Sequence, residues 1–116
     1  MQPQIFKDKV DLTEIKKLAE ESYGDMAKAV VDLRREIIIV GGEFHADAEA
    51  ILLSDGSRQE DLWGINFYPK KTGEEFIEYN SLINIRPKAG NRGVNIEIQE
   101  IRAKIKALID KKIELC

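Results

Sequence analysis

A chain of 116 residues and 13.2 kDa, 43% hydrophobic and 34% charged, suits one domain spanning 1–116, with a core that needs no metal or disulfide staple. Its charges mix in sign to a net of −3, which argues against disorder and, mildly, against general nucleic-acid binding. The single cysteine, Cys116, excludes a disulfide framework or zinc cluster and fits a reducing, cytoplasmic setting.

The first residues contain no apolar run long enough for a signal peptide or membrane span, so no membrane partner is expected. Asp11-Leu12-Thr13-Glu14 has the form of a capping box. Leu12, Ile15, Leu18 and Ala19 then share a stripe, which predicts a helix over about 12–22, stopped by Tyr23-Gly24-Asp25. Residues 26–33 alternate as a strand, Arg34-Arg35-Glu36 can turn, and Ile37-Ile38-Ile39-Val40 returns. That return strand is apolar at every position, which implies burial on both faces. The segment 45–53 reads as helix from its alanine, leucine and glutamate content, although a strand would also place His45, Asp47 and Glu49 in a row.

Two further strands are predicted at about 62–69 and 75–86, with Asn66 opposite Glu78 and Tyr68 opposite Phe76. Trp63, Ile65 and Phe67 would then share a buried face with Ile77, Tyr79, Ile83 and Ile85. The other face would carry Asn66, Tyr68, Glu78, Asn80, Asn84 and Arg86. Pro87 ends the second strand, and an amphipathic helix follows over about 96–113 with Asn95 as N-cap. The order α-ββ-α-ββ-α predicts an α+β fold: a four-stranded, largely antiparallel sheet made of two hairpins, helices mainly on one face. That arrangement would leave the polar face of the second hairpin free.

Three groupings could carry function. His45 and Glu49 fall at i and i+4 on a helix, and with Asp47 they are the candidate metal ligands of a hydrolase or nuclease. Asp32, Asp55 and Asp61 could add oxygens for a magnesium ion. The structural alternative is a histidine and two carboxylates favoured at a helix N-terminus, and it weighs more because the chain holds one histidine.

The second grouping is the loop from Arg86 to Gly93. Residues 62–92 carry 5 basic and 3 acidic side chains, against 8 and 14 in residues 1–61, so the basic excess is local. Arg86 and Arg92 could clamp a phosphate or carboxylate, with Asn91 beside them; the alternative is a plain strand-to-helix connector. The third is Trp63 to Pro69, whose aromatics could stack on bases. Trp63 and Phe67 fall on the aliphatic side, however, which leaves Tyr68 and Phe76 and makes nucleic-acid binding a minority reading. No Walker pattern, dinucleotide fingerprint or nucleophile elbow occurs, so no cofactor is expected.

The runs Gly42-Glu43-Phe44-His45-Ala46-Asp47-Ala48-Glu49, Gly56-Ser57-Arg58-Gln59-Glu60-Asp61-Leu62-Trp63-Gly64, Tyr68-Pro69 and Asn84-Ile85-Arg86-Pro87 together resemble an uncharacterised family of small prokaryotic proteins. The resemblance spans most of the chain and implies a domain of unknown function, standing alone rather than as part of an enzyme. It brings no catalytic residue, ligand or fold.

The leading expectation is therefore a binding or interaction domain. It would recognise a protein or small anionic ligand through the polar hairpin face and the basic loop. Homodimerisation through Phe76 and Leu82 is a further expectation.

Overall fold

The computed structural model describes residues 2–114, so Cys116 lies outside the described residues. Its elements are β1 (Gln4–Phe6), β2 (Val10–Asp11), α1 (Leu12–Ser22), β3 (Ala27–Asp32), β4 (Ile37–Val40), α2 (His45–Ser54), β5 (Leu62–Phe67), β6 (Ile77–Glu78), α3 (Gln99–Lys112) and β7 (Ile113–Glu114). Five strands form one sheet in the order β1-β4-β3-β5-β6, every neighbouring pair antiparallel, and β2 pairs with β7 as a small parallel ribbon. The class is α+β, and the sheet has one strand more than expected. The extra strand, β1, is three residues long, too short to show an alternation that sequence could reveal.

Local chemistry explains the elements. The Asp11 carboxylate accepts the Thr13 amide at 3.0 Å and caps α1. Between β3 and β4, one Asp32 oxygen accepts the amides of Arg34 and Arg35, both at 2.9 Å, which bends the chain into the expected turn. The whole of β4 is buried, lying between β1 and β3 with apolar cover above and below.

That cover corrects the expected open face. Helices α1 and α3 pack on one side, where Ile15, Leu18, Ile105 and Ile109 meet Ala29, Val31, Ile65 and Phe67. Helix α2 lies on the other, where Ala48 and Leu52 meet Val30, Ile39 and Leu62. β4 is apolar on both faces and β3 adds Val30 to the second, so both sides of the sheet need a lid. The segment 45–53 is helix, and the polar side of the second hairpin does not stand free.

The hairpin keeps its expected register: Asn66 pairs with Glu78, and the Tyr68 amide donates to the Phe76 carbonyl at 2.9 Å. The second strand stops after two residues, however, instead of running over 75–86. Ser81 then caps a 3-10 turn at Leu82–Asn84, and a second such turn follows at Pro87–Ala89. This segment lies against β5 because Gly64 has no side chain. A Cβ there would stand 2.5 Å from Ser81 Cβ and 3.1 Å from Ile83 Cγ1.

Two members of the expected buried face change places as a result. Ile83 joins the α2 side, and Ile85 is 44% exposed. Helix α3 also starts later than expected, with Ile98 rather than Asn95 at the cap position; the Asn95 side chain instead accepts from Arg102 at 2.6 Å.

Candidate functional site

Seven of the eight residues expected on one polar surface fall into three environments, and Arg92 stands apart from them. Asn84 and Asn91 are fully buried. The Asn84 side chain takes the place of a missing strand partner for Gly64, accepting its amide at 2.8 Å and donating to its carbonyl at 2.9 Å. It also donates to Val94 O at 3.1 Å. Asn91 donates to the carbonyls of Asn84, Gly93 and Asn95 and accepts the Glu97 amide at 2.7 Å. Both amides have spent their capacity on backbone groups, Asn84 on Gly64 and Val94 and Asn91 on the 84–97 segment, which leaves nothing for a ligand. For these two residues the structure replaces the expected contact role with an architectural one.

Asn66, Tyr68 and Glu78 gather beside the N-terminus of α2. Glu78 Oε1 accepts from Asn66 at 2.8 Å and from the Tyr68 hydroxyl at 3.3 Å, and Asn66 also donates to the Asn80 carbonyl at 3.3 Å. Burial, followed by the Glu78 charge, raises the Tyr68 phenol above its ordinary value, and Lys71 stands 4.8 Å over its ring. Asn80 takes part through its backbone, bridged to Asn95.

His45, first residue of α2 and 7% exposed, joins this group rather than a metal site. Its Nε2 donates to the Ile65 carbonyl at 2.8 Å, which fixes the tautomer. Burial lowers its pKa, so the ring is neutral at pH 7. Asp47 is exposed, and Glu49 belongs to a different cluster. Among the described residues, no group of three or more His, Cys, Asp or Glu side chains is placed to hold a metal.

That different cluster is the third environment. The loop after Ile85 closes through a backbone bridge, Arg86 N to Asn91 O at 2.7 Å and Asn91 N to Arg86 O at 3.0 Å, with Gly90 at φ +90°. The closure turns Arg86 inward over Trp63, its guanidinium carbon 4.7 Å from the ring centroid. Glu49 reaches from α2 to within 3.5 Å of Arg86 Nη2, and each of these side chains is only 14% exposed. At 3.5 Å the contact is an ion pair without a formed hydrogen bond. Arg86 Nη1 and Nη2 and Glu49 Oε2 are all buried without a hydrogen-bond partner. Burial raises the Glu49 pKa and lowers that of Arg86, in each case outweighing the pull of the partner.

This pair floors a cleft of about 860 Å³ lined by Gln59, Glu60, Leu82, Ile83, Ile85, Pro87, Lys88 and Ala89. The volume is in the range of ligand sites, and the lip is apolar: Leu82 is 76% exposed. Arg92 is exposed and lies outside the cleft lining, so it does not clamp a ligand together with Arg86.

A second groove, of about 740 Å³, runs between β6 and α3. Its cations are already engaged: Arg102 donates to Ile96 O and lies 4.5 Å over Tyr79, and Lys106 bonds Asp110 at 2.8 Å. Phe76 stacks on Phe67 with centroids 5.4 Å apart as part of the core, so it offers no platform for a base.

Residues 4–112 match the model of a family described as Protein of unknown function (DUF5674). The chain belongs to that family. No curated protein and no solved structure matches it. Membership agrees with the resemblance carried by residues 42–49, 56–64 and 84–87. Those runs have a structural meaning, for they supply Glu49, Gln59, Trp63, Asn84 and Arg86 to one neighbourhood.

From the sequence, Arg86 stands out with Arg92 as its companion, whereas Glu49 groups with His45 and Asp47, as a metal ligand or as a carboxylate favoured at a helix N-terminus. The Arg86–Glu49 contact joins residues far apart in the chain, and no spacing rule reports such a pair. The only available signal was that both residues sit inside the runs that carry the family resemblance. Among the described residues no helix is long and apolar enough to cross a membrane.

Proposed function

We propose that this protein is a small cytoplasmic binding domain without chemistry of its own. It would hold its partner, a protein segment or a small anionic ligand, in the cleft over Arg86. One observation carries this reading: the guanidinium of Arg86 is taken out of water, stacked on Trp63, and given no hydrogen-bond acceptor. Glu49 has a hydrogen bond with the Gln59 side chain, but a buried ion pair whose facing atoms make none returns less than its desolvation costs, and an apolar pair of similar volume would be at least as stable. Incompletely compensated charges at the floor of a cleft, each shifted by burial against the pull of its partner, mark a site of use more often than a site of support. The apolar lip of Leu82 and Ile85 adds area that a bound partner would cover.

The test is an NMR titration of the intact protein with pooled acetylated tetrapeptides and pooled small aliphatic carboxylates. Binding should move the Trp63 indole, Glu49 and the 82–89 amides together. Perturbations confined to other surfaces, or none at all, would remove the proposal.

A further inference from the structure

The cleft offers more than a cation. Arg86 brings two unfilled donors, Nη1 and Nη2, and 3.5 Å from Nη2 lies an unfilled acceptor, Glu49 Oε2. We infer that the group seated here is an amide, presented by a peptide segment next to an aliphatic side chain; the inference rests on the reading that this cleft binds a partner. A bare anion would satisfy Arg86 alone and be pressed against the Glu49 carboxylate, whose charge it would have to displace or neutralise. An amide carries its own acceptor and donor side by side. Its carbonyl oxygen can accept from Arg86 while its N–H donates to Glu49, once the two side chains, whose paired atoms are closed to water in this structure, tilt toward the cleft; the ion pair then survives intact.

The rest of the lining agrees. Glu60 faces the same space as Lys88, so the cleft has two acids and two bases and no net attraction for an anion. Leu82 and Ile85, 76% and 44% exposed, stand where an aliphatic neighbour of the amide would rest. A polar floor with paired donor and acceptor and an apolar lip matches a peptide carrying Asn or Gln next to Leu or Ile. Phosphate and nucleic-acid backbones, which only accept, match it poorly.

Two small probes separate amide from anion: 4-methylpentanamide and 4-methylpentanoate share one aliphatic group and differ only in the polar end. Each is titrated into the intact protein at pH 7 and followed by amide and indole shifts, with affinities on the order of millimolar for ligands this small. The expected result is perturbation of residues 82–89 and the Trp63 indole by the amide, bound at least about fivefold more tightly than the carboxylate. Equal or tighter binding of the carboxylate at the same residues overturns the amide inference and leaves the cleft reading standing. Perturbation by neither probe removes both. In Glu49→Gln, whose fold is checked by its thermal melt, the repulsion is gone and the carboxylate should gain about fivefold, erasing the preference. An unchanged ratio in that variant overturns the part assigned to Glu49.

Discussion

Asn84 and Asn91 lie in the same short segment as Arg86; Asn84 meets Gly64 of β5, Arg86 meets Trp63 of β5, and Asn91 stays within the segment. The amides are fully buried, and the structure fills them: Asn84 bonds both backbone groups of Gly64, and Asn91 holds three carbonyls and one amide. Arg86 and Glu49 are nearly as buried, yet their paired atoms find no hydrogen bond. Polar groups used to hold a fold are saturated, because each unfilled donor or acceptor costs stability. The unsaturated Arg86–Glu49 pair, left unfilled together with Asn66 Oδ1, is the feature on which the proposed binding role rests. The difference also separates residues that the sequence alone does not, since four amides and two arginines in adjoining stretches look alike as candidates.

The contrast predicts its own largest effect. Asn84→Ala strips both partners from Gly64 and loosens the whole 79–97 segment, and it should cost about 4 kcal/mol in urea unfolding. A loss near that of a surface change, below about 1 kcal/mol, would show that Asn84 is not the strand substitute described. Gly64→Ala comes next, at about 2–3 kcal/mol, since its Cβ would collide with Ser81 Cβ at 2.5 Å. Adding Ser81→Gly should recover much of that loss. No recovery would mean that the collision is relieved in some other way.

Arg86→Met should cost less, about 2 kcal/mol at pH 7, because the pair makes no hydrogen bond between its facing atoms. The sign of its pH dependence is fixed by Glu49. Without Arg86 the Glu49 carboxyl, already raised by burial, rises further, so protonation favours the folded state. The cost is therefore full above the raised folded pKa and shrinks as pH falls toward the unfolded value of about 4.3. A loss that stays constant from pH 7 to pH 4.5, measured by chemical denaturation at each pH, would contradict the description of Glu49 as a buried, under-compensated charge.

Much of the fold was legible because it is written locally. The stripe of Leu12, Ile15, Leu18 and Ala19, the all-apolar 37–40 and the pairing of Asn66 with Glu78 each follow from a period or a register. What the sequence hid was non-local. The alternation of 75–86 continues past Glu78, but Ser81 and Ile83 lie on the absent side chain of Gly64, and that contact ends the strand. The both-sided burial of 37–40 requires a cover on the second face, and α2 supplies it from a segment whose own sequence does not say which side it takes. At the site, Arg86 was visible as a basic loop residue, whereas its companions Trp63 and Glu49 meet it only in the folded chain.

His45 sharpens the comparison at smaller scale, for its Nε2 is filled by Ile65 O while burial keeps the ring neutral. A folded pKa below the unfolded value near 6.5 means that the unfolded chain binds the extra proton. Stability is then present above about pH 6.5 and lost as pH falls toward the folded pKa. His45→Gln keeps a donor for Ile65 and cannot titrate, so its stability should fall less between pH 7 and pH 5 than that of the wild type. Equal slopes would put the histidine outside the core.

The smallest effects test the lip against the loop. Leu82→Ser and Arg92→Ala both change exposed side chains, and each should alter stability by no more than about 0.5 kcal/mol. Their consequences for binding should nevertheless differ. Leu82 lines the cleft over Arg86, so its loss should weaken any ligand that moves the Trp63 indole. Arg92 stands outside the lining, and its loss should leave that affinity unchanged. The opposite pattern, binding lost with Arg92 and kept without Leu82, would move the contact surface from the cleft to the open loop. It would restore the two-arginine clamp that the sequence first suggested.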